Sequence, residues 1–232
     1  MSVMRSVRSD SDRPDGHLVA VFLIAIVCLW AGRFGQLLVP TDWTRLAELN
    51  WWAGTQILFY GIVPLVAVRM VGLVPGDVGW RWSGTWRHAS TYAALFAVAL
   101  PFVIVVSGSA DFLDHYPILE IEPGQTGVWN DLLIWWPFYA AQFVAIESFF
   151  RGVLVLGLSN YVGSASILIA VVPYMMIHFV KPPAEALASV VGGVVLGYLA
   201  LRTRSIVWGI ALHIAIAASM DIAALAHKGF LW

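Results

Sequence analysis

The chain has 232 residues, of which 60% are hydrophobic and 12% are charged, and its mean hydropathy is +0.80. Soluble domains carry roughly 45–50% apolar and about 25% charged residues, so this composition excludes an ordinary soluble protein and indicates a membrane protein. The formal net charge of −1 offers no basic surface for nucleic acid, and no nucleic-acid partner is expected.

Long apolar segments predict the fold. A bilayer core about 30 Å thick needs roughly 20 apolar residues per spanning helix. The chain contains about seven such segments and shows neither a fixed repeat nor a low-complexity tract. We therefore predict an all-α, polytopic membrane helix bundle with an N-terminal tail, residues 1–17, and one transmembrane domain, residues 18–232. The predicted spans are residues 18–39, 49–69, 89–109, 132–158, 163–180, 184–201 and 205–225.

The first span follows three arginines and resembles a signal peptide in its basic start. No A-x-A-like cleavage site follows it, and further spans come after, so the sequence predicts a retained anchor. In the sixth span, Gly192, Gly193 and Gly197 are small residues at one-turn spacing, which predicts close helix packing.

The distribution of Lys and Arg predicts the orientation. With seven spans, the N-terminus and the loops after spans two, four and six share one side. That side holds Arg5, Arg8, Arg13, Arg69, Arg81, Arg87, Arg202 and Arg204, whereas the other holds Arg45, Lys181, Lys228 and Arg33. By the positive-inside rule the N-terminus is cytoplasmic and the C-terminus lies outside.

Few ionisable side chains fall in the interior of the predicted spans, and those few lie in the last four. They are Glu147, Arg151, His178, His213 and Asp221, with Gln142 as a neutral companion. On insertion scales, a charged side chain at the centre of a membrane span costs about 2.5–3.5 kcal/mol. A functional role is therefore the default interpretation.

Glu147 and Arg151 are four residues apart, so they share a helix face and can neutralise each other. This spacing fits a purely structural ion pair as well as a functional one. Two histidines on further helices favour a shared site.

Three kinds of chemistry fit a carboxylate with two imidazoles. A carboxylate and an imidazole can activate water for attack on an amide while a second imidazole stabilises the oxyanion. Glu and His are also zinc ligands, but the H-E-x-x-H pattern is absent, and we predict no metal or other cofactor. Chains of Asp, Glu and His also form proton relays in transporters, although the chain lacks the internal duplication that many transporters show.

Three pieces together, ESFFRG at 147–152, YMMIH at 174–178 and the block HFVKPPAEALASVVGGVVLGYLALRTRSIVWGIALH at 178–213, resemble the CAAX protease and bacteriocin-processing family of type II CAAX prenyl endopeptidases. The resemblance covers about residues 130–221. It implies a multi-spanning intramembrane protease that cleaves membrane-associated peptides with water activated by glutamate and histidine, without a metal.

The family pattern is E-E-x-x-x-R, then F-x-x-x-H, then H-x-x-x-N or H-x-x-x-D. The resemblance implies site roles for Glu147, Arg151, His178 and His213, with Tyr174 at the aromatic position. Two expected catalytic positions differ, because Ile146 replaces the first glutamate and Ala217 replaces the asparagine. Glu147 rotating into the base position, or Asp221 reaching the site from one turn beyond Ala217, would compensate for these losses.

Two functions follow from this resemblance. One is an active intramembrane endopeptidase acting on a membrane-associated peptide. The other is a catalytically degenerate member that serves as a non-catalytic subunit or binding partner in a membrane protein complex. Both place the chain among membrane lipids, and the resemblance implies a bacterial plasma membrane.

Overall fold

The computed structural model describes residues 16–40, 42–70, 72–121 and 125–231. Within these ranges the chain is helical and contains no strand, which confirms the predicted all-α class. The helices are α1 (Gly16–Phe34), α2 (Arg45–Met70), α3 (Ala89–Val106), α4 (Ala110–His115), α5 (Val128–Val162), α6 (Ala165–Met176), α7 (Pro183–Thr203) and α8 (Val207–His227). Most of the predicted N-terminal tail, including Arg5, Arg8 and Arg13, lies outside the described residues.

Six helices in the described part of the chain are long and apolar enough to cross a membrane. These six, α1, α2, α3, α5, α7 and α8, coincide with six of the predicted spans. The remaining predicted span, 163–180, contains the 12-residue helix α6. A helix of this length measures about 18 Å, which is shorter than a bilayer core of about 30 Å.

Helix α6 ends at Met176, four residues earlier than predicted, because the His178 side chain competes for a backbone acceptor. In a continuing helix the carbonyl of Tyr174 would accept from the N–H of His178. Instead the Nδ1 atom of His178 lies 2.8 Å from that carbonyl oxygen. The backbone N–H of His178 donates to the carbonyl of Met175, and residues 177–180 form a turn.

Contacts between loops divide the bundle into two ends. At the arginine-rich end, which we define as residues 72–84, 159–164 and 203–206, the N–H of Ile206 donates to the carbonyl of Gly79 and Ser205 donates to the carbonyl of Arg81. Arg204 also donates to Ser159, at 3.2 Å. These bonds bring the loops after the second, fourth and sixth predicted spans together.

At the carboxylate-rich end, defined as residues 38–40, 42–45, 107–121, 177–182 and 228–231, Arg45 pairs with Glu120 at 3.3 Å. Ser107, after α3, is hydrogen-bonded to His227 at the end of α8. Within its described residues the chain therefore passes between the two ends seven times, with the short α6 and the turn after it making the fifth passage.

Helix α5 is the centre of the bundle. In its most apolar 18-residue window 89% of residues are buried, against 11% to 39% in the other candidate spans. Helices α2 and α8 pack on α5, and α6 and α7 pack on its second half. That second half, Ser148–Gly157, is π-helical and every residue in it is buried.

The predicted close packing of α7 holds for two of its three glycines. A Cβ atom on Gly193 would lie 3.0 Å from Val171, and one on Gly197 would lie 3.1 Å from Ile167, both on α6. A Cβ on Gly192 would meet nothing within 4 Å. Gly193 and Gly197 therefore allow α7 to approach α6, whereas Gly192 has no packing role.

Candidate active site

The polar centre of the bundle is the carboxylate of Glu147, which has no solvent-exposed surface. Its Oε1 atom lies 3.1 Å from Nη1 of Arg151 and 2.8 Å from Nδ1 of His213. The predicted pairing of Glu147 with Arg151 is therefore present, and α8 adds the imidazole. Removing either charged partner would leave a buried charge unpaired, which typically costs about 3–5 kcal/mol.

The π-helical turn positions these groups. Glu147 is the last residue before the π-helical segment, and Arg151 lies inside it. Short π-helical insertions in α-helices occur often at functional sites, because they change the direction in which side chains point. At Gly152, the next residue, a Cβ atom would lie 2.7 Å from the carbonyl oxygen of Val78.

Tyr174 of α6 lies beside both Arg151 and the histidines. The guanidinium carbon of Arg151 lies 4.0 Å from the centre of the Tyr174 ring, within the range of a cation–π contact. The same ring is 4.6 Å from the His178 ring and 6.3 Å from the His213 ring, centre to centre. The aromatic position of the sequence pattern thus connects the ion pair to His178.

The hydrogen bonds define the free nitrogen of each imidazole. A carbonyl oxygen only accepts, so Nδ1 of His178 carries the proton that it donates to Tyr174, and Nε2 is left free. An ionised Glu147 likewise only accepts, so Nδ1 of His213 donates to it. A histidine held in this way through Nδ1 presents Nε2 as a base or as a donor.

The site differs in solvent access from residue to residue. His178 and His213 are half-buried, and 14% of the His213 side chain is exposed. Glu147 is inaccessible, and its Oε2 atom has no hydrogen-bond partner among the described residues. Water can therefore reach the imidazoles before it reaches the carboxylate.

The two substituted positions are apolar and buried. Ile146 is 6% exposed and Ala217 is 5% exposed. Neither side chain can accept a proton or donate a hydrogen bond, so any chemistry in this site depends on Glu147, Arg151 and the two histidines.

Asp221 does not reach the site, and the idea that it replaces the lost asparagine is wrong. Its Oδ1 accepts from the N–H of Ile118 and its Oδ2 accepts from Nε1 of Trp136, each at 3.2 Å. Two turns of α8 separate Asp221 from His213, about 12 Å along the helix. Asp221 instead anchors the chain that follows α4.

Gln142 is 2% exposed. Its Oε1 atom has no hydrogen-bond partner among the described residues.

Sequence reasoning missed two neighbours of the polar centre. The ring of Phe143 lies 4.4 Å from that of His213. A Cβ on Gly209 would lie 3.4 Å from Oε2 of Glu147. Phe143 lies one turn before Glu147, so the sequence gives a signal that Phe143 is near the site. It gives no such signal for Gly209.

Sequence reasoning also missed a polar cluster at the carboxylate-rich end, formed by Tyr116, Lys181 and Glu185. The hydroxyl of Tyr116 donates to Glu185, with oxygen distances of 2.8 and 2.9 Å, and accepts from Nζ of Lys181 at 3.0 Å. The four-residue spacing of Lys181 and Glu185 predicts their pairing, but nothing in the sequence connects them to Tyr116. Burial lowers the pKa of Lys181 and raises that of Tyr116 well above its usual value.

Within the described residues, no group of three or more His, Cys, Asp or Glu side chains could hold a metal ion.

A family model matches the part of the chain that contains the candidate site. Residues 128–219 match the family model of type II CAAX prenyl endopeptidase Rce1-like proteins. This segment is Rce1-like. It comprises α5, α6, α7 and the first half of α8, and it contains Glu147, Arg151, His178 and His213. No curated protein and no solved structure matches the chain in the same comparisons.

The Rce1-like match confirms the family resemblance found in the sequence. Residues 128–219 are therefore similar to CAAX proteases, and the six long apolar helices of the described residues indicate a multi-pass membrane protein.

Proposed function

We propose that this protein is an intramembrane endopeptidase that cleaves membrane-associated peptides, with His213 as its general base. The observation that carries the proposal is the 2.8 Å contact between Nδ1 of His213 and Oε1 of Glu147. A buried carboxylate that accepts from Nδ1 of an imidazole fixes the tautomer in which Nε2 can take a proton from water.

Arg151 supports this arrangement through charge. Its guanidinium keeps Glu147 ionised in a buried site, and an ionised Glu147 stabilises the imidazolium that forms when His213 takes up a proton. Glu147 thus acts as a positioning residue rather than as the base, which agrees with its complete burial.

His178 is the candidate for oxyanion stabilisation. Its Nδ1 is fixed by the carbonyl of Tyr174, and its ring lies 4.6 Å from the Tyr174 ring, which is also near Arg151 and His213. In the tautomer fixed by Tyr174, Nε2 is an acceptor, so His178 donates to an oxyanion only as the imidazolium, after Nε2 has taken up a second proton. The mechanism therefore needs neither of the residues replaced by Ile146 and Ala217.

The test is cleavage of a library of membrane-anchored peptides by the purified protein in lipid nanodiscs, followed by mass spectrometry. We expect His213→Gln to lower the cleavage rate by about 10²–10⁴, the usual contribution of a general base. Glu147→Gln should lower it by up to about 10⁴, because an amide no longer selects the productive tautomer.

His227→Gln is the matched control. His227 lies on α8, as His213 does, but its side chain is hydrogen-bonded to Ser107 away from the proposed active site. Cleavage by His213→Gln at the rate of the unmodified protein would overturn the assignment of the base.

A second candidate function is a non-catalytic subunit or binding partner in a membrane complex. Its specific support is the pair of buried apolar side chains, Ile146 and Ala217, at positions where the family has polar ones. In that case the unmodified protein cleaves nothing and co-purifies with another membrane protein after gentle solubilisation. Cleavage that appears only in the double variant Ile146→Glu, Ala217→Asn would favour this candidate over the first.

A further inference from the structure

A pocket of about 310 Å³ opens at the arginine-rich end, between the last turns of α2 and the loop that follows it. Ligand sites in proteins usually measure about 300–1,000 Å³. The pocket wall is mostly aliphatic and is lined by Leu65, Val68, Leu73 and Val78, together with Arg69 and Trp80.

Two polar groups on this wall lack partners. Arg69 is exposed, and none of the ion pairs found among the described residues includes it. The indole Nε1 of Trp80 is buried and has no acceptor within the described part of the chain. A buried donor without an acceptor costs about 1–3 kcal/mol, so an oxygen-bearing ligand would be stabilising here.

The surroundings of the pocket are positively charged. Arg81 and Arg87 are exposed nearby in sequence, and the described ion pairs include neither. Asp77 is the only acidic residue among the described residues of the arginine-rich end, and its carboxylate accepts from the N–H of Val74 at 2.9 Å. The field at the pocket mouth therefore favours an anion.

Exposed aromatic and apolar side chains surround the same region. Trp82 and Trp86 are 65% and 75% exposed, and Met70 is 83% exposed. Tryptophan is enriched where a protein meets the headgroup layer of a bilayer. Exposed tryptophans next to the pocket in the sequence are typical of a surface that meets lipid headgroups.

From these observations we propose that the pocket binds one anionic phospholipid. Part of an acyl chain lies against the aliphatic wall, and the phosphate lies at Arg69 with a lipid oxygen accepting from the indole of Trp80. Basic pockets between membrane helices bind anionic headgroups by this combination of charge and apolar contact. The site is separate from the proposed endopeptidase centre and does not depend on it.

The test measures lipid retained by the full chain in native mass spectrometry. The protein is titrated separately with phosphatidylglycerol, with phosphatidylcholine of the same acyl chains, and with glycerol 3-phosphate, which has no chain. We expect phosphatidylglycerol to be retained most strongly and Arg69→Gln to weaken it about fivefold, the effect of one interfacial cation. Trp80→Phe, which keeps the ring but removes the N–H, should weaken retention of the same lipid.

Lys228→Gln is the matched control, since Lys228 is exposed at the opposite end of the bundle and none of the described ion pairs includes it. It should leave retention unchanged. Equal retention of the two phospholipids, or equal loss in Arg69→Gln and Lys228→Gln, would overturn the proposal. Binding of glycerol 3-phosphate as tightly as phosphatidylglycerol would also overturn it, because the site would then be a phosphate site.

Discussion

At the scale of single residues, the Glu147 carboxylate connects three helical segments. It pairs with Arg151 in the π-helical part of its own helix and with His213 on α8, and Arg151 in turn contacts Tyr174 on α6. A charged side chain in a membrane interior is costly unless it is paired, and Glu147 and Arg151 pair with each other. The same contacts that would orient a base therefore also stabilise the fold.

We expect Arg151→Leu to destabilise the protein by about 3–5 kcal/mol, because it leaves Glu147 charged and buried without its cation. The double variant Glu147→Gln, Arg151→Leu should recover part of this loss, since it removes the uncompensated charge. Unfolding by denaturing detergent in mixed micelles measures both. Additive losses in the double variant would show that the two side chains do not interact.

At the scale of elements, the π-helical segment of α5 is held by a close backbone approach. Gly152 faces the carbonyl of Val78, and the loop carrying Val78 also contacts the start of α8 through Gly79 and Ile206. A side chain at position 152 would move this loop away from the helix that carries Arg151.

For this reason Gly152→Ala should destabilise the protein by about 1–3 kcal/mol, the usual cost of overpacking. Gly192→Ala is the matched control, because a Cβ there meets nothing within 4 Å. It should be neutral or stabilising by about 0.5–1 kcal/mol through helix propensity. Thermal unfolding in nanodiscs compares the two, and an equal effect at both glycines would contradict the packing argument.

The segment formed by α4 and the residues that follow it contains a titratable group, His115, whose protonation state affects the stability of the segment. Burial and the nearby Lys181 ammonium lower the pKa of His115 to about 4. Asp111, Asp114 and Lys181 line the same surface pocket as His115. Since an exposed histidine has a pKa of about 6.5, the opened segment binds more protons than the closed one between these values.

The stabilisation from neutral His115 is therefore complete above about pH 6.5 and is lost as the pH falls towards 4. Hydrogen exchange of peptides covering residues 110–121, corrected for intrinsic rates, should show more opening at about pH 5 than at about pH 7.5. His115→Phe, which keeps a ring but cannot titrate, should reduce this difference. A variant with the same pH dependence as the unmodified protein would exclude His115 as the cause.

At the scale of the whole molecule, the seven passages of the described chain place Gly16 and Leu231 at opposite ends of the bundle. The loops that share the arginine-rich end are those that the positive-inside rule assigns to the cytoplasm. The cytoplasmic location of that end stays a prediction.

Cysteine labelling tests the orientation. Cys28 is the single cysteine of the sequence, so Cys28→Ser gives a background without thiols. In that background we expect Ser83→Cys to react with a membrane-impermeant maleimide only from the cytoplasmic side, and Asp114→Cys only from the outside. The reverse pattern would invert the orientation without changing the fold.

Much of this architecture could be predicted from the sequence, because apolar length is a strong signal in a membrane chain. Six of the seven predicted spans are long helices, and the pairing of Glu147 with Arg151 follows from their four-residue spacing. The early end of α6 could not be predicted, because it depends on the His178 side chain taking a backbone acceptor. Nor could the role of Asp221, whose partners, Ile118 and Trp136, are 103 and 85 residues away in the chain.

The depth of α5 inside the bundle has a consequence for biogenesis. On translocon insertion scales, each charged side chain at mid-span costs about 2.5–3.5 kcal/mol, and α5 contains both Glu147 and Arg151. Since most of α5 is buried inside the bundle, it must pack on α1 and α2, which are already synthesised, and be enclosed by α6, α7 and α8 as the ribosome completes them. A nascent chain that stops after residue 162 would therefore leave its most expensive segment facing lipid, and it would be a substrate for membrane quality control.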